Sequence, residues 1–271
     1  MAQIDRQRVQ CSFHRGAGEY DQHTPVQQRV LRQLLQALGQ LPLAADARVL
    51  DIGCGTGRLL ELVKQHFPGT ALTGLDLTPN MLQQAAARLG ENARLVQGDA
   101  EQLPFADNSF QLVLSSSTFQ WLDNLQHCFE EAGRVLEPEG RFLFSLFGEG
   151  TLFELRESWH QALLNTGRSD GTTHNGTHRF HGSEQVRHAL ELTGFREIAV
   201  WSGLEQVWYQ DVPHLLQAIK RIGAGTARPP SGGGLGWRRV LHEMAAVYYE
   251  RFGTPDGVPV SYRVIYATGR R

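Results

Sequence analysis

The stretch Arg48-Val-Leu-Asp-Ile-Gly-Cys-Gly-Thr-Gly-Arg-Leu-Leu60 runs an apolar segment into Asp51 and then sets glycines at 53, 55 and 57. A strand that turns sharply into a helix leaves backbone N–H groups and the helix N-terminus facing a ligand, and glycine lets the backbone approach without a Cβ in between. Spacing narrows the ligand class. The dinucleotide fingerprint G-x-G-x-x-G fails in both registers, because its last position falls on Arg58 when counted from Gly53 and on Leu60 when counted from Gly55. What stands here is D-x-G-x-G-x-G.

The following residues extend the pattern. Ala71-Leu-Thr-Gly-Leu-Asp-Leu77 reads as a second strand carrying Asp76, close to the roughly 20-residue offset at which doubly wound folds place a ribose-binding acid. Asn80 and Met81 open a helical pattern, and Leu95-Val-Gln-Gly-Asp99-Ala100 reads as a third strand. Phe110 to Ser117 is a fourth, followed by Thr118-Phe-Gln-Trp121, and Gly140 to Leu146 is a fifth. Taken singly, an acid that ends a strand is more often a helix cap or turn former than a ligand. Met81, Phe119 and Trp121 are core residues by default. It is the order of strand, glycine loop and successive strand-end acids that points to a cofactor site.

That order resembles the S-adenosylmethionine-binding half of the class I methyltransferases. The resemblance implies an α/β, Rossmann-like, doubly wound, mostly parallel seven-stranded sheet with helical lid insertions. It further implies S-adenosyl-L-methionine as cofactor, leaving as S-adenosyl-L-homocysteine, and contacts from Asp51, Gly53, Gly55, Gly57, Asp76, Met81, Asp99, Ala100 and Ser116. In that family an acid at the position of Asp76 takes the ribose hydroxyls, and one at Asp99 lies near the adenine amino group.

Composition sets the outer limits. A chain of 271 residues accommodates one large α/β domain with additions. With 41% hydrophobic residues and a formal charge of −2, it gives no global reason to expect nucleic acid or an anionic membrane. Charge is uneven, however: residues 212–251 hold Lys220, Arg221, Arg228, Arg238, Arg239 and Arg251 against Glu243 and Glu250. Cys11, Cys54 and Cys128 form no C-x-x-C pair. With no apolar leader or 18-residue apolar run, a reducing cytoplasm is the expected compartment. His174, His178 and His181 lack a cysteine or carboxylate cluster, so no metal is expected.

The expected organisation is a single domain over 1–271, with an N-terminal cap at 1–25, a cofactor-binding core at 48–147, and substrate lid segments at 148–182 and 205–240. Residues 26–40 form an amphipathic helix with Val26, Val30, Leu31, Leu34, Leu35 and Leu38 on one stripe. Further helices are expected at 151–166, 183–193 and 212–222, and final strands at 195–201 and 258–268. A Pro-Pro-Ser-Gly-Gly-Gly stretch occupies 229–234.

A closer resemblance rests on the pieces outside the sheet. Phe13-His-Arg-Gly-Ala-Gly-Glu-Tyr-Asp-Gln-His23, Thr151-Leu-Phe-Glu-Leu-Arg-Glu-Ser-Trp159, Arg221-Ile-Gly-Ala224 and Gly257-Val-Pro-Val-Ser-Tyr262 are similar to the malonyl-acyl-carrier-protein O-methyltransferases of biotin synthesis, the BioC family. Gly225-Thr226 depart from that pattern, where the family often has a polar residue and Asn. The resemblance implies methyl transfer to the free carboxylate of a malonyl thioester, giving the methyl ester that starts pimeloyl and biotin synthesis. A carboxyl with a pKa of about 4 is already ionised at neutral pH, so no general base is needed. An arginine suits that carboxylate, since its guanidinium forks onto both oxygens and keeps its charge. Arg156 is the candidate, against the plain alternative of a solvated helix residue near Glu154 and Glu157. Tyr20 is the candidate to close over the methionine end of the cofactor, against the alternative that it packs the first helix. The partner implied is an acidic acyl carrier protein, docking near Lys220, Arg221, Arg238 and Arg239, against the alternative that this basic run is a solvated face. Another small-molecule O- or C-methyltransferase, or a non-catalytic S-adenosylmethionine-binding regulator, stays open on sequence alone.

Overall fold

The computed structural model describes residues 21, 24–122, 124–168, 180–221 and 235–271, and the backbone alone at 221, 235 and 236. In chain order the elements are α1 (Pro25–Leu38), β1 (Arg48–Ile52), α2 (Arg58–His66), β2 (Ala71–Asp76), α3 (Pro79–Leu89), β3 (Ala93–Gln97), β4 (Phe110–Ser116) and α4 (Leu125–Val135). They continue with β5 (Leu136–Phe147), α5 (Phe153–Asn165), α6 (Ser183–Leu192), β6 (Arg196–Tyr209), α7 (Val212–Arg221), α8 (Leu235–Phe252) and β7 (Val258–Arg270).

Seven strands form one sheet in the order β3-β2-β1-β4-β5-β7-β6. The pairs among β1 to β5 are parallel, and β7 runs antiparallel between β5 and β6. Parallel strands need crossover helices on both faces, which is why β1 reads as a continuous apolar run and not as an alternation. The two faces carry separate cores. Leu34, Leu60, Leu112, Leu143 and Tyr266 belong to one, under α1, α2, α5 and α8, while Leu50, Ile52, Phe129, Phe142 and Phe144 belong to the other, under α4 and α6. Strand order reverses between β1 and β4, the switch point where open α/β sheets leave a crevice at the carboxyl ends of their strands.

Local chemistry explains the elements that position the site. Pro25 starts α1 at a place where its missing N–H costs nothing, and Val26, Val30, Leu34 and Leu38 bury one stripe. Gly57, at φ 77°, turns the chain into α2. Three expectations need correction. The third strand covers Ala93–Gln97, so Asp99 and Ala100 lie in the loop beyond it. Residues 205–209, expected in a lid segment, continue β6, because β7 pairs with that strand as far as Tyr209 opposite Val258. Helix α8 was not anticipated, although Val240, Met244, Val247 and Tyr248 bury a helical stripe along it. None of the helices, among the described residues, is long and apolar enough to cross a membrane.

Candidate functional site

A cavity of about 420 Å³ opens at the switch point, a volume suited to a small-molecule ligand. Of the nine residues expected to hold the cofactor, Asp51, Gly53, Gly55, Asp76, Met81, Asp99, Ala100 and Ser116 line it. Gly57 does not. A Cβ there would meet Leu89 Cδ1 at 2.9 Å and Ala85 Cβ at 3.1 Å, so this glycine serves the packing of α2 on α3. Gly55, in contrast, has φ 53° and nothing within 4 Å of where its Cβ would be; its open side is free for close ligand approach.

Backbone donors hold two of the three carboxylates, Asp76 at the end of β2 and Asp99 in the loop after β3. Asp76 accepts from Gly55 N at 2.9 Å and from Thr78 N at 2.8 Å, which ties the glycine loop to the end of β2. The loop is held from a second direction by Gly53 N and Cys54 N, which both donate to the Leu75 carbonyl, at 2.7 and 2.9 Å. Asp99 accepts from Glu101 N at 3.0 Å. Asp51 is buried at 1% exposure, and its Oδ1 has no hydrogen-bond partner. Burial, and then the charge of Asp76, push the Asp51 carboxyl well above the usual carboxylate range. Burial also raises Asp76, while its two backbone donors act against that rise. An acceptor with no partner in a site that raises its pKa is poised for a cation.

Around these residues the structure places several that the sequence did not single out. Thr56 Oγ1 donates to Asp21 Oδ1 at 2.9 Å and accepts from Arg88 Nη1 at 2.8 Å, while Arg88 forms an ion pair with Asp21. This network clamps the outer side of the glycine loop, and all three residues line the cavity. Asp21 follows Tyr20 in a motif already noted, but nothing in the spacing of Arg88 announced its role. Trp121 also lines the cavity, whereas Phe119 is fully buried against Phe129, Phe142 and Phe144.

Arg156 lies on the first turn of α5, outside the cavity lining, and is half-buried. Arg156 forms no ion pair with Glu154 or Glu157, and its partial exposure fits the plain alternative of a solvated helix residue as well as a ligand-facing one. Glu154 is buried and accepts from Ser261 Oγ at 2.5 Å and Ser261 N at 3.2 Å, and Glu157 lies 3.9 Å from Arg251. Thr151 Oγ1 and Arg263 N, and Leu152 N and the Ser261 carbonyl, complete a joint between the start of α5 and β7. The Thr151-to-Arg156 and Gly257-to-Tyr262 pieces are therefore one structural unit. Lys220, Arg238 and Arg239 are exposed. Tyr20, the side chain of Arg221, Arg228, His174 and His178 lie outside the described residues. Cys54 and Cys128 are buried and form no disulfide.

Comparison with known proteins adds four findings. A family model described as a methyltransferase domain matches residues 50–144. The malonyl-[acyl-carrier protein] O-methyltransferase of Geobacter sulfurreducens is 45% identical over 273 residues, covering 99% of this chain and 100% of that one. Among solved structures, the YcgJ protein from Bacillus subtilis superposes with a TM-score of 0.60 at 20% identity, over 89% of this chain and 98% of that one. Haemonchus contortus phosphoethanolamine N-methyltransferase 2, solved in complex with S-adenosyl-L-methionine, gives a TM-score of 0.54 at 22% identity, over 88% of this chain and 52% of that one. These two likenesses concern the fold.

Proposed function

The chain belongs to the malonyl-[acyl-carrier protein] O-methyltransferase family, and on that premise we propose that it moves a methyl group from S-adenosylmethionine to the free carboxylate of a malonyl thioester carried by an acyl carrier protein. The residues present suit that cofactor. Asp51 offers a partnerless buried acceptor to an ammonium group, Asp76 offers a carboxylate to a ribose diol, and Gly55 leaves room for close approach. When bound, the cofactor supplies an electrophilic methyl on a sulfonium. The substrate carboxylate is its own nucleophile at neutral pH, so the protein contributes alignment, exclusion of water and a partner for the anion, and no base.

The observation that carries the substrate reading is Arg156. Within Thr151-Leu-Phe-Glu-Leu-Arg156, Thr151, Leu152, Glu154 and Leu155 are buried, with Thr151 and Glu154 held by β7, while Arg156 makes no ion pair with a described residue although acids sit on either side of it. Packing explains the rest of the piece but not a guanidinium there. We assign it to the malonyl carboxylate, with Tyr20 closing over the methionine end of the cofactor. Exposed Lys220, Arg238 and Arg239, with Arg221, form the face that steers an acidic carrier protein inward. The test is methyl transfer from labelled S-adenosylmethionine to malonyl carrier protein, beside malonyl-coenzyme A and free malonate. Labelled ester on the malonyl thioesters and none on malonate supports the assignment, and no ester on any of them rejects it.

A further inference from the structure

Four consecutive hydroxyl residues, Ser115 to Thr118, stand where β4 ends; Ser115 Oγ donates to the Ile52 carbonyl at 2.7 Å, and of the three that line the cavity Ser117 stands apart. Ser116 Oγ lies 3.4 Å from Ser145 Oγ, and Thr118 Oγ1 donates to the carbonyls of Gly53 and Ser116 at 3.3 Å. Ser117 Oγ is screened from solvent and has no hydrogen-bond partner. Its backbone is also unusual, with φ 56° in the left-handed region that a side chain disfavours. Of the non-glycine residues with positive φ, among those described, Ser117 alone lines the cavity.

That conformation is held from both sides. Ser117 N donates to the Ser145 carbonyl at 2.9 Å, and the Ser117 carbonyl accepts from Nε2 of the buried Gln120 at 2.5 Å. Strained backbone persists where its surroundings over-determine it, and such places gather at ligand clamps. A glycine would satisfy the same backbone at no steric cost. The fold thus accounts for the turn but not for the hydroxyl.

The geometry points to the Ser117 hydroxyl as a donor to a carboxylate bound in this cavity, an inference that rests on the cavity being the cofactor and malonyl site. Asp51 and Asp76 already supply acceptors there, so an added hydroxyl is of most use as a donor to an anion, and rotation about one bond re-aims a serine Oγ. Two carboxylates meet in this reaction: that of the methionine moiety and that of the malonyl group.

The experiment compares Ser117→Ala and Ser117→Gly with the parent protein, measuring affinity for S-adenosylhomocysteine and for 5′-methylthioadenosine, which lacks the amino-acid carboxylate, together with KM for malonyl-coenzyme A. A loss of roughly five- to twentyfold in S-adenosylhomocysteine affinity in both variants, with methylthioadenosine unchanged, identifies the methionine carboxylate. A rise of that size in malonyl KM with both affinities unchanged identifies the malonyl carboxylate. Parent-like behaviour of either variant in all three measurements, or equal loss of both nucleosides, overturns the assignment. Failure of the parent protein to bind S-adenosylhomocysteine would instead reject the cofactor reading.

Discussion

Gly55 and Gly57 are two residues apart in one motif, yet the structure gives them different tasks that a pair of alanine substitutions separates. Both have positive φ, at 53° and 77°, so alanine at either site meets backbone strain of about 1–2 kcal/mol. At Gly55 that is the whole structural cost, because the new methyl finds no protein atom within 4 Å. Its melting temperature is expected to fall by about 2–8 °C, taking about 2–4 °C per kcal/mol for a chain of this size. At Gly57 the methyl also presses on Leu89 and on Ala85, including the Ala85 Cα at 3.2 Å, adding an overpacking cost of about 1–3 kcal/mol. Binding reverses the order. Gly55 lines the cavity, so on the proposed cofactor reading its new methyl crowds the ligand, and an overlap of about 1–3 kcal/mol is expected to weaken affinity about 5- to 150-fold. Calorimetric titration with S-adenosylhomocysteine and thermal melts on the same preparations read both quantities. If Gly55→Ala binds normally, or folded Gly57→Ala loses binding to the same degree, the assignment of one glycine to the ligand and the other to helix packing is wrong.

Other expected outcomes follow from the same site. The Asp51 carboxyl is raised by burial and by Asp76, so the folded state holds its proton more tightly than the unfolded chain, and stability falls as pH rises above the ordinary value of 3.8. Asp51→Asn should therefore raise the melting temperature of the ligand-free protein most at high pH, with the gain shrinking as pH falls toward that value, and should weaken S-adenosylhomocysteine binding about tenfold or more. A gain that grows on acidification contradicts this. Arg156→Lys, which keeps charge but loses the fork, is expected to lower kcat/KM for malonyl carrier protein by roughly a hundredfold with cofactor affinity nearly unchanged. Normal turnover, or an equal loss of cofactor binding, would remove Arg156 from the carboxylate. Finally, KM for malonyl carrier protein should climb steeply with salt while malonyl-coenzyme A responds much less. Parallel salt curves would leave Lys220, Arg238 and Arg239 as a solvated face.

The half of the fold that binds the cofactor was legible because its signals are local. A parallel strand buried on both faces is an uninterrupted apolar run, and the acid of the next strand stands about 20 residues from the glycines, so Asp51 and Asp76 can be located by counting. Asp99, in contrast, lies in the loop after its strand and follows only from the family's order of acids. The groups brought in from a distance were not legible. Arg88 reaches Thr56 across 32 residues, and Asp21 reaches Arg88 across 67, with no periodicity linking them. The extra length of β6 was hidden for a related reason. Its residues alternate between exposed and half-buried as far as Tyr209, with Leu204 and Trp208 exposed and Val207 and Tyr209 only partly buried against the core, so the apolar signal over 205–209 is weak and pairing with β7 carries the strand on.

The pieces outside the sheet raise a different question, which is whether a family-specific sequence marks the substrate or the scaffold. Much of Thr151-to-Leu155 and Gly257-to-Tyr262 belongs to the scaffold: Glu154 is a buried carboxylate that accepts from both the backbone N and the hydroxyl of Ser261, and Tyr248 Oη donates to the Pro259 carbonyl at 2.7 Å just beside it. Removing one partner from such a pair leaves a buried charge without its bonds, which explains why glutamate and serine occur together without invoking a ligand. Trp159 stacks on Trp237 of α8, and Arg168 lies over that same ring at 5.1 Å, so the rest of α5 is likewise committed to its neighbouring helix. Once these are set aside, the resemblance in this region bears on substrate choice through few side chains. Among the described residues of these pieces, Arg156 is the one whose charge the scaffold leaves unanswered, and without it the malonyl reading rests on the family resemblance alone.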